Sequence, residues 1–81
     1  MRILLSKKAL NDYLELPVKL QTLADKQFSL LLRDVRYPSL RAKKYDETRD
    51  IWQARLNRDY RFYFLIQHDT YEILTILRHP K

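Results

Sequence analysis

Arg55 and Arg61 lie on either side of Asn57-Arg58-Asp59, within two runs whose polar and apolar residues alternate. Trp52, Ala54 and Leu56 alternate with Gln53 and Arg55; Tyr60, Phe62, Phe64 and Ile66 alternate with Arg61, Tyr63 and Leu65. A period of two belongs to half-buried strands, so the two runs predict a hairpin. A three-residue turn at 57–59 sets Leu56 opposite Tyr60, Ala54 opposite Phe62 and Trp52 opposite Phe64. A two-residue turn would mix the faces, which burial forbids. The surviving register places Arg55 across from Arg61 and Gln53 across from Tyr63. Like charges directly opposed on a sheet destabilise it. Either a carboxylate, such as Glu72 or Asp50, sits between the two arginines, or a phosphate does. Guanidinium forks match phosphate oxygens bidentately, and two of them could stabilise a pentavalent phosphorane dianion.

Further groups capable of the same chemistry stand near the hairpin in sequence. Arg41, Lys43, Lys44 and Arg49 lie in the polar stretch just before it. They could clamp a nucleic-acid backbone, or simply form a solvated charged loop. Tyr45, Trp52 and Tyr63 are aromatic candidates for base stacking. Trp52 shares its parity with Ala54 and Leu56 and belongs to the core, so Tyr63, on the arginine face, is the better candidate. Arg78-His79 follows an apolar run that fixes its position, and histidine is the side chain whose ordinary pKa suits proton donation near neutrality. His68, in a turn between Gln67 and Asp69, reads as inert.

The elements that must position these groups follow from periodicity. Residues 2–5 read as a short apolar strand. Ser6 is a plausible N-cap, after which Ala9, Leu10, Tyr13 and Leu14 share one helical face. Pro17 suits the start of a second helix, whose apolar stripe is Leu20, Leu23, Ala24, Phe28, Leu31 and Val35. Tyr37-Pro38 halts it. Residues 39–50 read mostly as loop, and a last strand spans Tyr71 to Leu77. Both faces of that strand are apolar, which predicts a central place in the sheet. The chain has no glycine, so Asn57 or Asp59 is expected to supply a positive φ in the hairpin turn. The predicted fold is α+β, in the order β-α-α-β-β-β: a two-helix hairpin packed on one face of a mainly antiparallel four-stranded sheet.

Composition narrows the function classes. Eighty-one residues are expected to form a single domain, 1–81, with no room for a separate cofactor-binding unit. Cysteine is absent, which excludes disulfides, thiolate zinc sites and a cysteine nucleophile. The net charge of +6 favours a polyanionic partner. Lys7 and Lys8 interrupt the opening apolar residues too early for a signal sequence, and no apolar stretch approaches the ~18 residues needed to span a bilayer. The expectation is a soluble, cytoplasmic protein without a membrane partner.

The string Asp50-Ile51-Trp52-Gln53-Ala54-Arg55-Leu56, then Tyr60-Arg61-Phe62-Tyr63-Phe64, then Ile73 to His79, resembles the RelE/ParE toxin superfamily of type II toxin–antitoxin systems. It looks closest to the short RelE-like and YoeB-like mRNA interferases, with Tyr60-Arg61 and Arg78-His79 as the most telling match. The resemblance implies metal-independent, cofactor-free endoribonuclease cleavage of mRNA in the ribosomal A site. There the 2′-hydroxyl attacks the adjacent phosphate, leaving a 2′,3′-cyclic phosphate and a free 5′-hydroxyl. Carried onto this chain, Arg61 stabilises the transition-state phosphate, Arg55 assists it, and His79 is the general acid. YoeB-like members use a glutamate base in the loop before the second strand, for which Glu47 is the nearby candidate and Lys44 a second. Arg41, Lys43, Lys44, Tyr63 and Arg78 would bind mRNA or ribosomal RNA (16S rRNA). The implied partners are a cognate antitoxin, in a toxin–antitoxin hetero-oligomer, and the mRNA-bearing ribosome. Two other readings stay open: a ParE-like DNA gyrase inhibitor, and a catalytically inactive nucleic-acid-binding toxin homologue.

Overall fold

The Ser6 hydroxyl accepts the Ala9 N–H at 3.0 Å, satisfying one of the donors that a helix start leaves free. In the computed structural model, which describes residues 1–79, strand β1 (Arg2–Leu5) therefore turns directly into helix α1 (Lys7–Glu15). Pro17, with no N–H to lose, begins helix α2 (Val18–Arg33). A 3₁₀ turn (Pro38–Leu40) leads to strands β2 (Lys43–Asp46), β3 (Ile51–Arg55), β4 (Tyr60–Gln67) and β5 (Thr70–Arg78). Pro80 and Lys81, which follow Arg78-His79, lie outside the described residues. No helix among the described residues is long and apolar enough to cross a membrane.

The sheet has the order β1-β5-β4-β3-β2, antiparallel except where β1 runs parallel to β5. It thus has five strands where the sequence predicts four, because Lys43–Asp46 pairs with β3 instead of remaining loop. An edge strand offers one side of its backbone to solvent and tolerates lysines, so its polarity imitates a loop. The α+β class and the two-helix layer are as expected.

The β3–β4 register matches the parity argument: Trp52 faces Phe64, Gln53 faces Tyr63, Ala54 faces Phe62 and Arg55 faces Arg61. The turn between these strands contains no left-handed residue, contrary to expectation. Instead the Asn57 carboxamide oxygen accepts the N–H groups of Asp59 and Tyr60, both at 2.8 Å. Such a side-chain turn replaces backbone strain with hydrogen bonds. The positive φ values fall on Arg41, Asp50 and His68.

Strand β5 lies between β1 and β4, consistent with its two apolar faces. Its parity is broken by a bulge: Tyr63 faces Thr75 whereas Phe64 faces Ile73, so the buried series runs Tyr71, Ile73, Ile76. The core joins these residues to Ala54, Leu56, Phe62 and Phe64 of the hairpin, and to Ala24, Phe28 and Leu31 of α2. Phe28 meets Phe62 edge to face at 5.1 Å, and Trp52 stacks on Phe64 at 6.2 Å. On α1 only Ala9 is buried and Tyr13 half-buried, while Leu10 and Leu14 are exposed. The expected apolar face of α1 is therefore only partly covered, because this short helix overlies β5 near one side of the sheet.

Asp12 fastens α1 to the bulged strand. Its carboxylate accepts the Thr75 hydroxyl at 2.7 Å and the Ile76 N–H at 3.0 Å, and Lys8 lies 3.2 Å away. Burial alone would raise this carboxyl's pKa, but the bonds from Ile76, Thr75 and Lys8 outweigh it and hold it below the ordinary value. A carboxyl so depressed adds stability above its unfolded pKa of about 3.9, and that stability is lost as pH falls through the folded value. We predict that Asp12→Ala lowers stability by about 1.5–3 kcal/mol at neutral pH. Urea unfolding should show the gap to the parent narrowing as pH falls below about 3.9.

Candidate functional site

The face of the hairpin turned away from the helices carries Gln53, Arg55, Arg61 and Tyr63, extended by Lys43 of β2 opposite Gln53. Arg41 joins them from the end of the 3₁₀ turn. Its backbone is left-handed (φ 46°, ψ 43°), just after Leu40, which is fully buried. A non-glycine residue in this region is held there by its surroundings. Arg41, Lys43, Gln53, Arg55 and Arg61 together line a cleft of about 200 Å³.

Each arginine of the opposed pair is positioned by groups that carry no charge. The Arg61 Nη1 donates to the carbonyls of Asn57 (2.9 Å), Tyr60 (3.0 Å) and Arg58 (3.3 Å). The same turn that Asn57 closes thus holds the Arg61 fork. Arg55 is positioned from beneath by Gln27 of α2, which is almost fully buried. The Gln27 Nε2 donates to the Arg55 carbonyl at 2.8 Å and to the Ser39 carbonyl at 3.3 Å, tying β3 to the segment that carries Arg41.

Among the described residues, none of the four lining cations forms an ion pair with a carboxylate. The acids that could have neutralised the pair are placed elsewhere. Asp50 holds Lys44 at 3.0 Å, and Glu72 lies opposite Leu65, farther along β4. Desolvation, then the charges of Arg41 and Arg61, push the Arg55 guanidinium below its ordinary pKa. Arginine nevertheless remains charged at any physiological pH. The Arg55 Nε is enclosed and has no hydrogen-bond partner. A charged donor left unpaired within a cluster of like charges marks a place where an anion fits.

Tyr63 borders this cluster and meets Tyr45 edge to face at 4.9 Å. Burial, and secondarily Tyr45, raise the Tyr63 pKa against the opposing effect of Arg61, so its hydroxyl stays protonated and can donate. The two rings form an aromatic step beside the cations, with Tyr45 largely exposed.

The remaining sequence candidates fall outside the cleft lining. Lys44 is half-buried over the Trp52 ring, 5.3 Å from its centroid, and so faces the core side of the sheet. The hydrogen bond from Lys44 to Asp50 raises its pKa despite partial burial, and the Asp50 and Glu47 charges add to this. An ammonium stabilised in this way is disfavoured as a base. Glu47 projects from the β2–β3 turn and approaches only Lys44, at 3.9 Å. Arg78 pairs in register with Tyr60, and the His79 N–H donates to the Asp59 carbonyl at 2.6 Å. Both are exposed at the end of β5 near Arg61, and neither lines the cleft. Sequence reasoning missed Gln27. Its signal was a polar residue on the apolar stripe, three positions after Ala24 and four before Leu31.

No family model matches the chain, and no curated protein matches it in sequence. Solved structures do match in shape. A YoeB/ParE toxin from Agrobacterium tumefaciens superposes with a TM-score of 0.82 at 12% identity, over 99% of this chain and 100% of that one. A chain of the YoeB-YefM complex from Staphylococcus aureus gives 0.79 at 16% identity, over 96% and 95%. One from an archaeal RelE-RelB complex of Pyrococcus horikoshii gives 0.72 at 22% identity, over 95% and 92%. Fold and site together define a small α+β scaffold that displays a cationic cleft on the open face of its sheet. The chain shares its fold with these YoeB, ParE and RelE toxins.

If the cleft concentrates unpaired charge at the expense of stability, removing one charge relieves it. We predict that Arg55→Met raises the melting temperature in low salt. The gain should shrink towards 1 M salt, where the screening length falls to about 3 Å. Thermal unfolding across a salt series checks this.

Proposed function

We propose that this protein is the toxin of a type II toxin–antitoxin pair and cleaves mRNA in the ribosomal A site, gripping the scissile phosphate between Arg55 and Arg61. The observation that carries the reading is the unpaired cluster of Arg41, Lys43, Arg55 and Arg61, including the partnerless Arg55 Nε. A phosphate bound there would receive forks from opposite strands. As the 2′-oxygen bonds to phosphorus and the bond to the 5′-oxygen breaks, the phosphorane dianion gains charge where both guanidinium groups point. Stabilisation that grows with developing charge accelerates the reaction, unlike uniform binding. In this reading His79, two residues past the Leu77 that faces Arg61, delivers a proton to the leaving 5′-oxygen. No carboxylate lines the cleft, so the 2′-hydroxyl proton passes to solvent water and the rate enhancement rests on charge stabilisation.

The Tyr45–Tyr63 step supports a nucleic-acid ligand, since bases stack on aromatic faces. A cognate antitoxin is proposed as partner because similar chains occur in complexes with YefM and RelB. One arrangement favours a second reading, an RNA-binding toxin homologue that does not cut: Glu47 and His79 both lie outside the cleft lining.

Induced expression without an antitoxin, with 5′ ends of cellular mRNA mapped, separates these readings. The nuclease reading predicts growth arrest and codon-phased cuts. Arg61→Ala should lower cleavage by roughly 10²–10³-fold, the usual cost of one transition-state donor, which abolishes the cuts in cells, and His79→Ala should abolish them too. Arrest without cuts points to another target such as DNA gyrase, and no arrest from folded protein leaves the binding reading.

A further inference from the structure

Around the end of the sheet from the cleft lies a second, wider groove of about 500 Å³, bounded by α2, the 3₁₀ turn and the β3–β4 turn. Arg41 and Arg55 line both spaces, so the two adjoin. The groove adds Lys26 and Arg58, both exposed, with Ser39 and Asn57 as neutral hydrogen-bonding groups. No carboxylate is among its lining residues, and neither Lys26 nor Arg58 forms an ion pair among the described residues. Asp25, the acid beside Lys26, is occupied by the Tyr13 hydroxyl at 2.8 Å.

Both added cations are mechanically linked to the cleft. Lys26 adjoins Gln27, whose side chain bonds the Arg55 carbonyl. The Arg58 carbonyl, like that of Asn57, accepts from the Arg61 guanidinium. The backbones carrying Lys26 and Arg58 are therefore held in fixed relation to Arg55 and Arg61. Cations spaced along two adjoining grooves suit a polyanionic strand, and contacts to its phosphates position the strand without reading its sequence.

We propose that this groove is a second phosphate-binding subsite, in which Lys26 and Arg58 hold the RNA backbone beyond the phosphate held by Arg55 and Arg61. The inference rests on the RNA reading above and extends it: the strand passes from the open face of the sheet around its end towards α2. The groove then serves as a ruler that fixes which phosphate enters the cleft.

The test is salt-dependent binding of a 2′-O-methylated single-stranded RNA hexamer, which cannot be cut by 2′-attack, followed by fluorescence anisotropy. Each phosphate contact to a single strand contributes about −0.7 to the slope of log affinity against log salt. Lys26→Ala/Arg58→Ala should therefore flatten the slope by about 1.4. Its deficit relative to the parent should be about sevenfold larger at 50 mM than at 200 mM salt. Lys7→Ala/Lys19→Ala removes the same charge from exposed, unpaired positions outside both spaces and should leave the slope unchanged. Equal slopes for the two double variants would overturn the subsite, as would a parent-like slope for Lys26→Ala/Arg58→Ala. If Arg55→Ala/Arg61→Ala then still loses binding, the cleft reading stands and the subsite alone fails. Salt-independent binding by the parent would overturn both.

Discussion

Burial of one face of the β3–β4 hairpin forces two arginines into opposition on the other. Ala54, Leu56, Phe62 and Phe64 are essentially inaccessible to water. Shifting the pairing by one residue would turn one strand's pair, Ala54 and Leu56 or Phe62 and Phe64, out of the core, at roughly 1.5–3 kcal/mol for each large side chain. Repulsion between two guanidinium groups on the open face of the sheet is smaller than that cost, so the register holds and the charges remain opposed. The cleft is thus a consequence of the core. The hydrophobic effect does the work of holding cations together, leaving their electrostatic demand unsatisfied until an anion arrives.

The surrounding structure refines this arrangement without neutralising it. Asn57 closes the turn and frees backbone carbonyls that hold the Arg61 fork. Gln27 reaches through the core layer to bond β3 and the Ser39 segment at once. Buried Leu40 anchors the left-handed Arg41 beside them. Three acids of the preceding strand and turn are engaged elsewhere: Asp46 with Arg49, and Asp50 and Glu47 with Lys44. Carbonyls and amides orient the arginines, and no carboxylate lines the cleft. A preorganised charge of this kind needs little rearrangement to stabilise a phosphate as its charge develops.

The Arg55–Arg61 pair could be read from the sequence because hairpin parity leaves a single acceptable register. Ser6 as cap and Trp52 as core were legible for similarly local reasons. Arg41 could be named as a basic loop residue, but its entry into the cleft depends on the path of the 3₁₀ turn, which has no periodic signature. Strand β2 was hidden because its pairing is specified by backbone hydrogen bonds to β3 and hardly by side-chain pattern. The inward parity of β5 was unreadable because its bulge inserts a residue between Ile73 and Ile76. Leu10 and Leu14 share a helical face with Ala9, yet periodicity cannot say how much of that face a neighbour covers. The distance of Glu47 from the cleft is likewise a matter of tertiary placement.

The central claim is that the fold holds Arg55 and Arg61 together as a receptor for phosphate. Its most direct test is a titration with inorganic phosphate at constant ionic strength, following the Nε–H resonances of the arginine side chains by NMR. The account predicts saturable shifts for Arg55 and Arg61, led by the partnerless Arg55 Nε, with Arg36 and Arg49, which already pair with Asp34 and Asp46, unmoved. Small, unsaturable shifts spread evenly over all arginines would contradict it.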